Sequence, residues 1–175
     1  MTWIIILAAI ALFLFWVSRR PGEFSIARSI DINAPASAIF PEINNLKAMN
    51  TWNPWAGQDP KSVIAYEGAA EGPGAVYTWN GGRMGQGRFT IQSATPSSEV
   101  KSRLEMIKPM RADNAVVFTI APNGDSTRVT WAMSGTSSFM VKLMHLVFSP
   151  ERMVGSAFET GLASLKAKVE KARLH

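Results

Sequence analysis

The strongest constraint on the fold is a run of six segments with strand periodicity, which occupies the chain from Lys61 to Ser134. The segments are KSVIAYE, GAVYTWN, GQGRFTIQS, SEVKSRLEM, NAVVFTIAP and STRVTWAMS, and clusters of Gly, Pro, Asn and Asp separate them. Apolar and polar side chains alternate in each segment, which is the period of a β-strand. Regularly spaced strands with turn signals between them predict one meandering antiparallel sheet, apolar on one face and polar on the other.

A glycine-rich segment, YTWNGGRMGQGRFTI, joins the second and third of these strands. Gly82, Gly85 and Gly87 have the reverse of the G-x-G-x-x-G spacing of a dinucleotide-binding loop, and no Lys-Ser or Lys-Thr follows them. A strand comes next rather than a helix, so no helix N-terminus is available to bind phosphate. Asn80-Gly81 between two alternating runs predicts a β-hairpin and argues against a nucleotide enzyme.

Shorter elements precede the sheet. Residues 24–32 alternate as a further strand of about nine residues. Asn33-Ala34-Pro35 ends this strand and starts a helix, because Pro suits the first helical position, and Pro41 limits that helix to two turns. A second short helix is predicted through Leu46 and Met49.

A long helix is predicted at the C-terminus. An amphipathic segment, SSFMVKLMHLVF, precedes Ser149 and Pro150, which can cap the helix and take its first position. Its predicted apolar stripe is Met153, Ala157, Gly161, Leu162, Leu165 and Val169. A curved seven-stranded sheet and this helix cover each other's apolar surface if the helix lies on the concave side. The chain is therefore predicted to have an α+β fold.

The N-terminus carries a separate apolar run, WIIILAAIALFLFWV, from Trp3 to Val17. A helix over residues 1–18 would be about 27 Å long, close to the roughly 30 Å of a bilayer core, and its terminal tryptophans suit the membrane interfaces. We therefore predict a transmembrane anchor over 1–18, a linker over 19–23 and a soluble domain over 24–175. Arg19 and Arg20 place that domain on the cytoplasmic side. A signal peptide and a buried core helix are the alternatives, but no basic residue precedes the run and no cleavage site follows it.

The composition excludes several classes of function. The chain has no cysteine, which rules out disulfides, thiolate nucleophiles and sulfur metal sites. Its histidines are His145, with no carboxylate three or four residues away, and the terminal His175, so neither is predicted to be catalytic. No acidic cluster suits a metal ion, and we predict neither a metal nor a cofactor. The net charge of +5 is dispersed along the chain, which predicts attraction to anionic lipid headgroups rather than nucleic-acid binding.

Several local strings resemble one known superfamily. They are RSIDINAPASAIF, W-N-P-W, Y-T-W-N-G, G-Q-G-R-F-T-I, S-T-R-V-T-W-A-M-S-G and G-S-A-F-E-T-G-L-A-S-L-K. Together with the order of elements, they resemble the helix-grip fold of the START-related superfamily, also called SRPBCC, in its polyketide cyclase/dehydrase-like branch. The resemblance covers Phe24 to Glu170. It implies a tunnel between the sheet and the long helix that takes up a hydrophobic molecule, although a fold alone does not fix a reaction.

The resemblance also implies a set of cavity residues. Aromatic rings and adaptable methionines would line the wall formed by the sheet, and small residues on the helix would leave volume between helix and sheet. The predicted cavity residues are Trp52, Trp55, Tyr77, Trp79, Phe89, Leu104, Met106, Phe118, Trp131, Met133, Ala157 and Gly161. An ordinary aromatic core is the alternative interpretation.

Three residues are candidates for chemistry in such a cavity. Arg28 shares the strand phase of Ile26, so its guanidinium could face inward and bind a ligand carboxylate or phosphate, or it could lie at the rim. Glu67 is close to the hairpin that contains Tyr77, and its carboxylate could act as a base if partly desolvated. A solvated loop is the alternative for Glu67.

These observations support three functional hypotheses. The first is a membrane-tethered binding or carrier domain for a hydrophobic small molecule or lipid, with the membrane as a second partner. The second is a cyclase/dehydrase-like enzyme that uses Arg28, Glu67 and Tyr77. The third is a membrane-associated scaffold with a filled core. The sequence favours binding over catalysis, and no feature of it sets an oligomeric state.

Overall fold

The computed structural model describes residues 2–137, residue 142 and residues 150–173. An apolar helix, a strand and two short helices precede six further strands and a final helix. The bounds are α1 (Thr2–Arg19), β1 (Glu23–Ile32), α2 (Ala36–Asn44), α3 (Leu46–Met49), β2 (Val63–Gly68), β3 (Ala75–Asn80), β4 (Gln86–Thr95), β5 (Glu99–Lys108), β6 (Ala112–Asn123), β7 (Ser126–Thr136) and α4 (Pro150–Ala172).

All seven β-strands form one antiparallel sheet in the order β1-β7-β6-β5-β4-β3-β2. The chain meanders from β2 to β7, and β1 completes the sheet by pairing with β7, with Ile26 opposite Met133. Helix α4 packs mainly along β1 on the concave side of the sheet. The predicted α+β fold, a curved seven-stranded antiparallel sheet with a C-terminal helix, is therefore confirmed.

Helix α4 buries one stripe against the sheet. The stripe consists of Phe158, Leu162, Leu165 and Val169, each 5% exposed or less. Their spacing of four, three and four residues keeps them on one side of a helix. The predicted stripe is wrong at its N-terminal end, where Met153 is 67% exposed and Val154 packs against the core instead. The helix begins at Pro150, as expected, whereas Ser149 and His145 lie outside the described residues.

The two short helices also follow the prediction, with one difference. The Asn45 side chain caps α3 by accepting hydrogen bonds from the backbone N–H groups of Lys47 and Ala48, at 3.0 and 3.2 Å. Pro41 lies inside α2 rather than ending it. The helix continues past this proline because Ile39 and Ile43, four residues apart, are both buried in the core.

Strands β3 and β4 form the predicted hairpin, but its loop is longer than a two-residue turn. Asn80 ends β3 and pairs with Gln86, and a short 3₁₀ turn, Gly82–Met84, lies between them. Gly81 and Gly85 have φ values of 110° and 68°, and the Gly81 N–H donates to the Gly85 carbonyl at 2.9 Å. These glycines therefore close a hairpin loop, which needs left-handed backbone.

Helix α1 forms over the apolar run, but the prediction that it spans a membrane is not supported. Within the described part of the chain, no helix is both long enough and apolar enough to cross a bilayer. The apolar run itself has 15 residues, Trp3 to Val17, which corresponds to about 22 Å of helix against a bilayer core of about 30 Å. Most of its side chains are exposed, with Trp3 at 78%.

Candidate functional site

A cavity of about 310 Å³ lies between the concave face of the sheet and the N-terminal half of α4. It is partly open to solvent, and its exposed lining residues, Gly57 and Ile64, lie in β2 and the loop that precedes it. Its wall consists of Met49, Asn53, Trp55, Gly57, Asp59, Ser62, Ile64, Tyr77, Trp79, Met84, Phe89, Leu104, Met106, Asn114, Val116, Trp131, Met133, Val154 and Phe158. Most of these side chains are apolar or aromatic, as in sites for small hydrophobic molecules.

Aromatic rings hold each other in place on the cavity wall. The Trp131 indole stacks on the Phe158 ring of α4, with 4.2 Å between ring centroids and 12° between planes. The Trp55 ring meets Trp131 edge to face at 5.7 Å. Farther along, Tyr77 stacks on Trp79 at 5.6 Å. Such packed pairs restrict ring motion, so this part of the wall is formed before any ligand arrives.

The rim of the cavity is tied together by the Asp59 carboxylate. Asp59 accepts hydrogen bonds from the backbone N–H groups of Lys61, at 3.2 Å, and Met84, at 3.1 Å. These bonds join the loop before β2 to the hairpin loop between β3 and β4. The indole N–H of Trp79 donates to the Met84 carbonyl at 3.3 Å, which fixes the ring at the same rim.

Glycine 87 allows the Trp79 indole to lie flat on the sheet. Gly87 is opposite Trp79 in the β3–β4 pairing, and a Cβ at this position would overlap the indole ring. Only glycine therefore permits this close approach of ring and backbone. The second glycine in G-Q-G-R-F-T-I, Gly87, therefore shapes the cavity wall.

Two residues of the cavity wall each contain a buried polar atom that has no hydrogen-bond partner within the described residues. These atoms are the Asn114 Oδ1 and the indole Nε1 of Trp131. Asn114 is 7% exposed and is paired with Gly135 across the sheet, where a Cβ would overlap the amide oxygen. A buried polar atom without a partner is costly, and in a native structure each such atom requires an explanation.

Comparison with known proteins places this architecture in a family. The family model described as polyketide cyclase / dehydrase and lipid transport matches residues 23–170. The chain belongs to this family. The resemblance to the polyketide cyclase/dehydrase-like branch of the SRPBCC superfamily, inferred from the sequence strings, is thereby confirmed. No curated protein matches the chain.

Several solved structures share the fold of this chain, although their sequence identity to it is low. A protein from Thermobifida fusca has 18% identity and a TM-score of 0.64, covering 84% of this chain and 93% of its own. The Aha1 dimer from Colwellia psychrerythraea has 17% identity and a TM-score of 0.60, over 84% and 96%. A protein from Chromobacterium violaceum has 16% identity and a TM-score of 0.60, covering 83% of this chain and 96% of its own. These similarities establish the fold alone.

Most of the predicted cavity residues of this family member lie on the cavity wall. The eight that do are Trp55, Tyr77, Trp79, Phe89, Leu104, Met106, Trp131 and Met133. Trp52 and Phe118 are fully buried behind the wall, where their rings pack against Trp131 at 5.8 and 4.9 Å. Contact of any of these residues with a ligand stays a prediction.

The two predicted small helix residues, Ala157 and Gly161, do not line the cavity. At Gly161 a Cβ would lie 2.8 Å from both the Pro54 ring and the Trp131 indole. The missing side chain therefore brings α4 close to the sheet instead of leaving volume beside it. The helix reaches the cavity through Phe158, which the sequence reading omitted although it lies four residues before Leu162 on the buried stripe.

Arg28 lies outside the cavity, at the contact between β1 and α4. Its guanidinium binds the Glu159 carboxylate at 2.7 Å and the Glu151 carboxylate at 2.9 Å. It lies over Gly155, where a Cβ would overlap it. The hydrogen bonds that the guanidinium donates to Glu159 and, to a lesser extent, to Glu151 raise the pKa of Arg28. Arg28 is thus occupied as a clamp between strand and helix, and it is not on the surface that a ligand in the cavity would contact.

Of the other two candidates for chemistry, one lies on the wall and one does not. Glu67 is solvent-exposed on β2, 3.8 Å from the Arg88 guanidinium. Tyr77 lines the cavity. Burial, and to a lesser extent the neighbouring Tyr66, raises the pKa of the Tyr77 phenol. This phenol is therefore protonated at neutral pH and can serve as a neutral donor to a ligand.

No metal centre accompanies this site in the parts of the chain that the structure describes. No group of three or more His, Asp or Glu side chains in those residues could hold a metal ion. Asn114, by contrast, is a functional candidate that the sequence reading missed. The sequence contains the pattern that could have identified Asn114. It shares the inward strand phase of Val116, Phe118 and Ile120 and is the polar residue of that set.

Proposed function

We propose that this chain is a binding or carrier domain for a hydrophobic small molecule, held between the sheet and α4. The observation that carries the proposal is the 310 Å³ cavity with its aromatic wall. The family description, which includes lipid transport, supports the same class of ligand. The alternative of a scaffold with a filled core disagrees with a cavity of this size.

The size of the cavity limits the ligand. A volume of 310 Å³ is about twice that of an engineered apolar cavity of roughly 150 Å³ that binds benzene. It is also at the lower end of typical ligand pockets, roughly 300 to 1,000 Å³. A compact molecule of about two fused rings fits these limits. Burying about 300 Å² of its apolar surface would contribute roughly 7 kcal/mol before the cost of association.

Membrane association is the second part of the proposal. Along α1 the large apolar side chains of every face are exposed, including Ile4, Leu12 and Phe15, and contiguous apolar surface of this kind favours contact with lipid or with another apolar surface. Arg19 lies over the Phe15 ring at 5.1 Å and Arg20 over the Trp16 ring at 4.4 Å. This pairing suits an interface with anionic headgroups. We infer that α1 inserts into the bilayer and holds the domain on the cytoplasmic side.

Binding is tested with the full chain in lipid nanodiscs and the fluorescent two-ring probe 1-aminonaphthalene, with empty nanodiscs subtracted. Leu104→Trp places a larger ring on the cavity wall and should lower probe affinity about tenfold, because it fills the volume that the ligand needs. Ile107→Trp, three residues along β5 and exposed, is the matched control and should bind like the parent chain. Equal probe binding by the parent chain and Leu104→Trp would refute a ligand site in the cavity.

Membrane association is tested separately, by flotation of the full chain with vesicles that contain anionic lipid. The parent chain should float with the vesicles. A variant with Leu7→Glu and Leu12→Glu in α1 should float much less, because each charge is costly in the apolar part of the bilayer. The control carries Val63→Glu and Ile107→Glu, at exposed positions of the sheet. Flotation that is unaffected by the α1 charges would refute this role for α1.

An enzyme that positions a polyketide-like chain keeps one candidate residue inside the cavity, Tyr77. Loss of turnover of such a substrate in Tyr77→Phe, with unchanged probe binding, would favour this alternative over a carrier.

A further inference from the structure

The cavity contains one buried amide that the fold does not use. Asn114 lies near the middle of β6, among inward-facing apolar side chains, and its Oδ1 accepts no hydrogen bond from the described residues. Its strand neighbours opposite are Leu104 and Gly135, which have no side-chain polar atom to offer. An apolar residue here would remove this cost, so the amide is not explained by packing.

The charges around the cavity restrict what can pair with this amide. The described wall residues include no Lys, Arg or His, and Asp59 is the charged member of the set. An anionic ligand would therefore lose its hydration without gaining a counter-charge from these residues. These residues thus disfavour an anionic ligand, and the apolar wall suits a neutral polar group on an otherwise apolar molecule as the partner of Asn114.

A hydroxyl group can pair with either hydrogen-bonding group of the amide, the acceptor oxygen or the donor NH₂. An amide presents an acceptor oxygen and a donor NH₂ on the same carbon, and a hydroxyl has one O–H donor and two acceptor lone pairs. We propose that the ligand of this cavity is a neutral apolar alcohol or phenol whose hydroxyl hydrogen-bonds to the Asn114 amide. This inference rests on the proposed binding function and names the ligand class that the same site selects.

The test compares naphthalene, naphthol and naphthoate, which share one ring system and differ in their polar group. Affinities are measured by calorimetry for the full chain in nanodiscs, with empty nanodiscs subtracted. The variant is Asn114→Leu, which keeps the number of side-chain heavy atoms and removes both hydrogen-bonding functions. The matched control is Asn123→Leu, the same substitution at the exposed end of the same strand. Each compound partitions into lipid equally for every variant, so partition cancels when the naphthol-to-naphthalene affinity ratio of one variant is compared with that of another.

We expect naphthol to bind the parent chain about tenfold more tightly than naphthalene does, which is the value of one buried hydrogen bond. Asn114→Leu should abolish this preference while still binding naphthalene, and Asn123→Leu should keep it. A preference that survives Asn114→Leu, or naphthoate binding more tightly than naphthol, overturns the inference while leaving the cavity as a binding site. If none of the three compounds binds the parent chain, the proposed function itself fails.

Discussion

The two halves of the contact between α4 and the sheet differ in how they are filled. At the C-terminal half of the helix, Leu162, Leu165 and Val169 are buried in a continuous core. Helix α2 closes this half, and Glu42 in α2 pairs with Lys168 in α4. At the N-terminal half, Val154 and Phe158 face the cavity instead.

The difference shows how one fold can contain both a packed core and a cavity. Side chains of α2 and α3, Ile39, Ile43 and Leu46, are fully buried in the core and fill space between helix and sheet. No comparable insertion fills the cavity half of the described structure, so stability there depends on ring stacking and on the Arg28 clamp. A protein in which the packed half supplies most of the stability can keep an unpaired amide in the other half.

The largest expected effect is on the free energy of unfolding, when a leucine in each half is replaced by alanine. Leu165→Ala should lower the free energy of unfolding by about 3 kcal/mol, because the fully buried side chain leaves a void in a packed region. Leu104→Ala should cost about 1 kcal/mol, because Leu104 already borders the cavity and only partly contacts the core. Urea denaturation followed by circular dichroism measures both values. Equal costs would show that the two halves are packed alike.

Asn114→Leu should have a smaller effect of opposite sign. Removing a buried amide without a partner should raise the free energy of unfolding by about 1 kcal/mol, or the melting temperature by roughly 2 to 4 °C. Thermal unfolding of ligand-free protein measures this change, with Thr119→Leu, at an exposed position of the same strand, as the control. A lower melting temperature would show that the amide has a stabilising partner in solution and would remove the contrast between the halves.

The smallest effect is expected at the Arg28 clamp. Arg28→Gln removes the charge that binds Glu151 and Glu159, and these exposed pairs contribute little to global stability. Hydrogen exchange should nevertheless speed up a few-fold at the amides of residues 154–158, because the clamp joins the residues on either side of this segment, Glu151 and Glu159, to β1. The amides of residues 162–169 should exchange as before. A uniform change along α4 would mean that the helix opens as one unit.

The sheet was predictable from the sequence because strand period is local. Each of the six segments alternates over several residues, and the turn residues between them mark the strand ends. The hairpin loop was predicted too short, since the position of Gly82–Met84 depends on the Asp59 carboxylate, which is distant in the sequence. The conformation of that loop therefore has no purely local signal.

The candidate site was predictable only in part. The inward-facing side chains of the strands follow from strand phase, and eight of the twelve predicted cavity residues lie on the wall. The prediction for α4 was wrong because a small helix residue can either leave a cavity or permit close packing. Gly161 permits close packing against Trp131 and Pro54, whereas a cavity beside it was predicted. Ligand binding and a position at the rim were both predicted as possible roles of Arg28, and the ion pairs with Glu151 and Glu159 could not be foreseen because these partners come from a helix more than a hundred residues away. No strand pattern contains that contact.

The connection between α1 and the sheet has a consequence for how the domain can move. Three residues, Arg20 to Gly22, separate the end of α1 from the start of β1, and a chain of that length spans at most about 11 Å. The Lys142 ammonium also donates to the carbonyl of Arg20 at 2.7 Å, and the Ser137 N–H donates to the carbonyl of Gly22 at 2.7 Å. The end of α1 and the start of β1 are therefore held close together. A bilayer that took up α1, as proposed above, would keep the domain at a nearly fixed height and orientation.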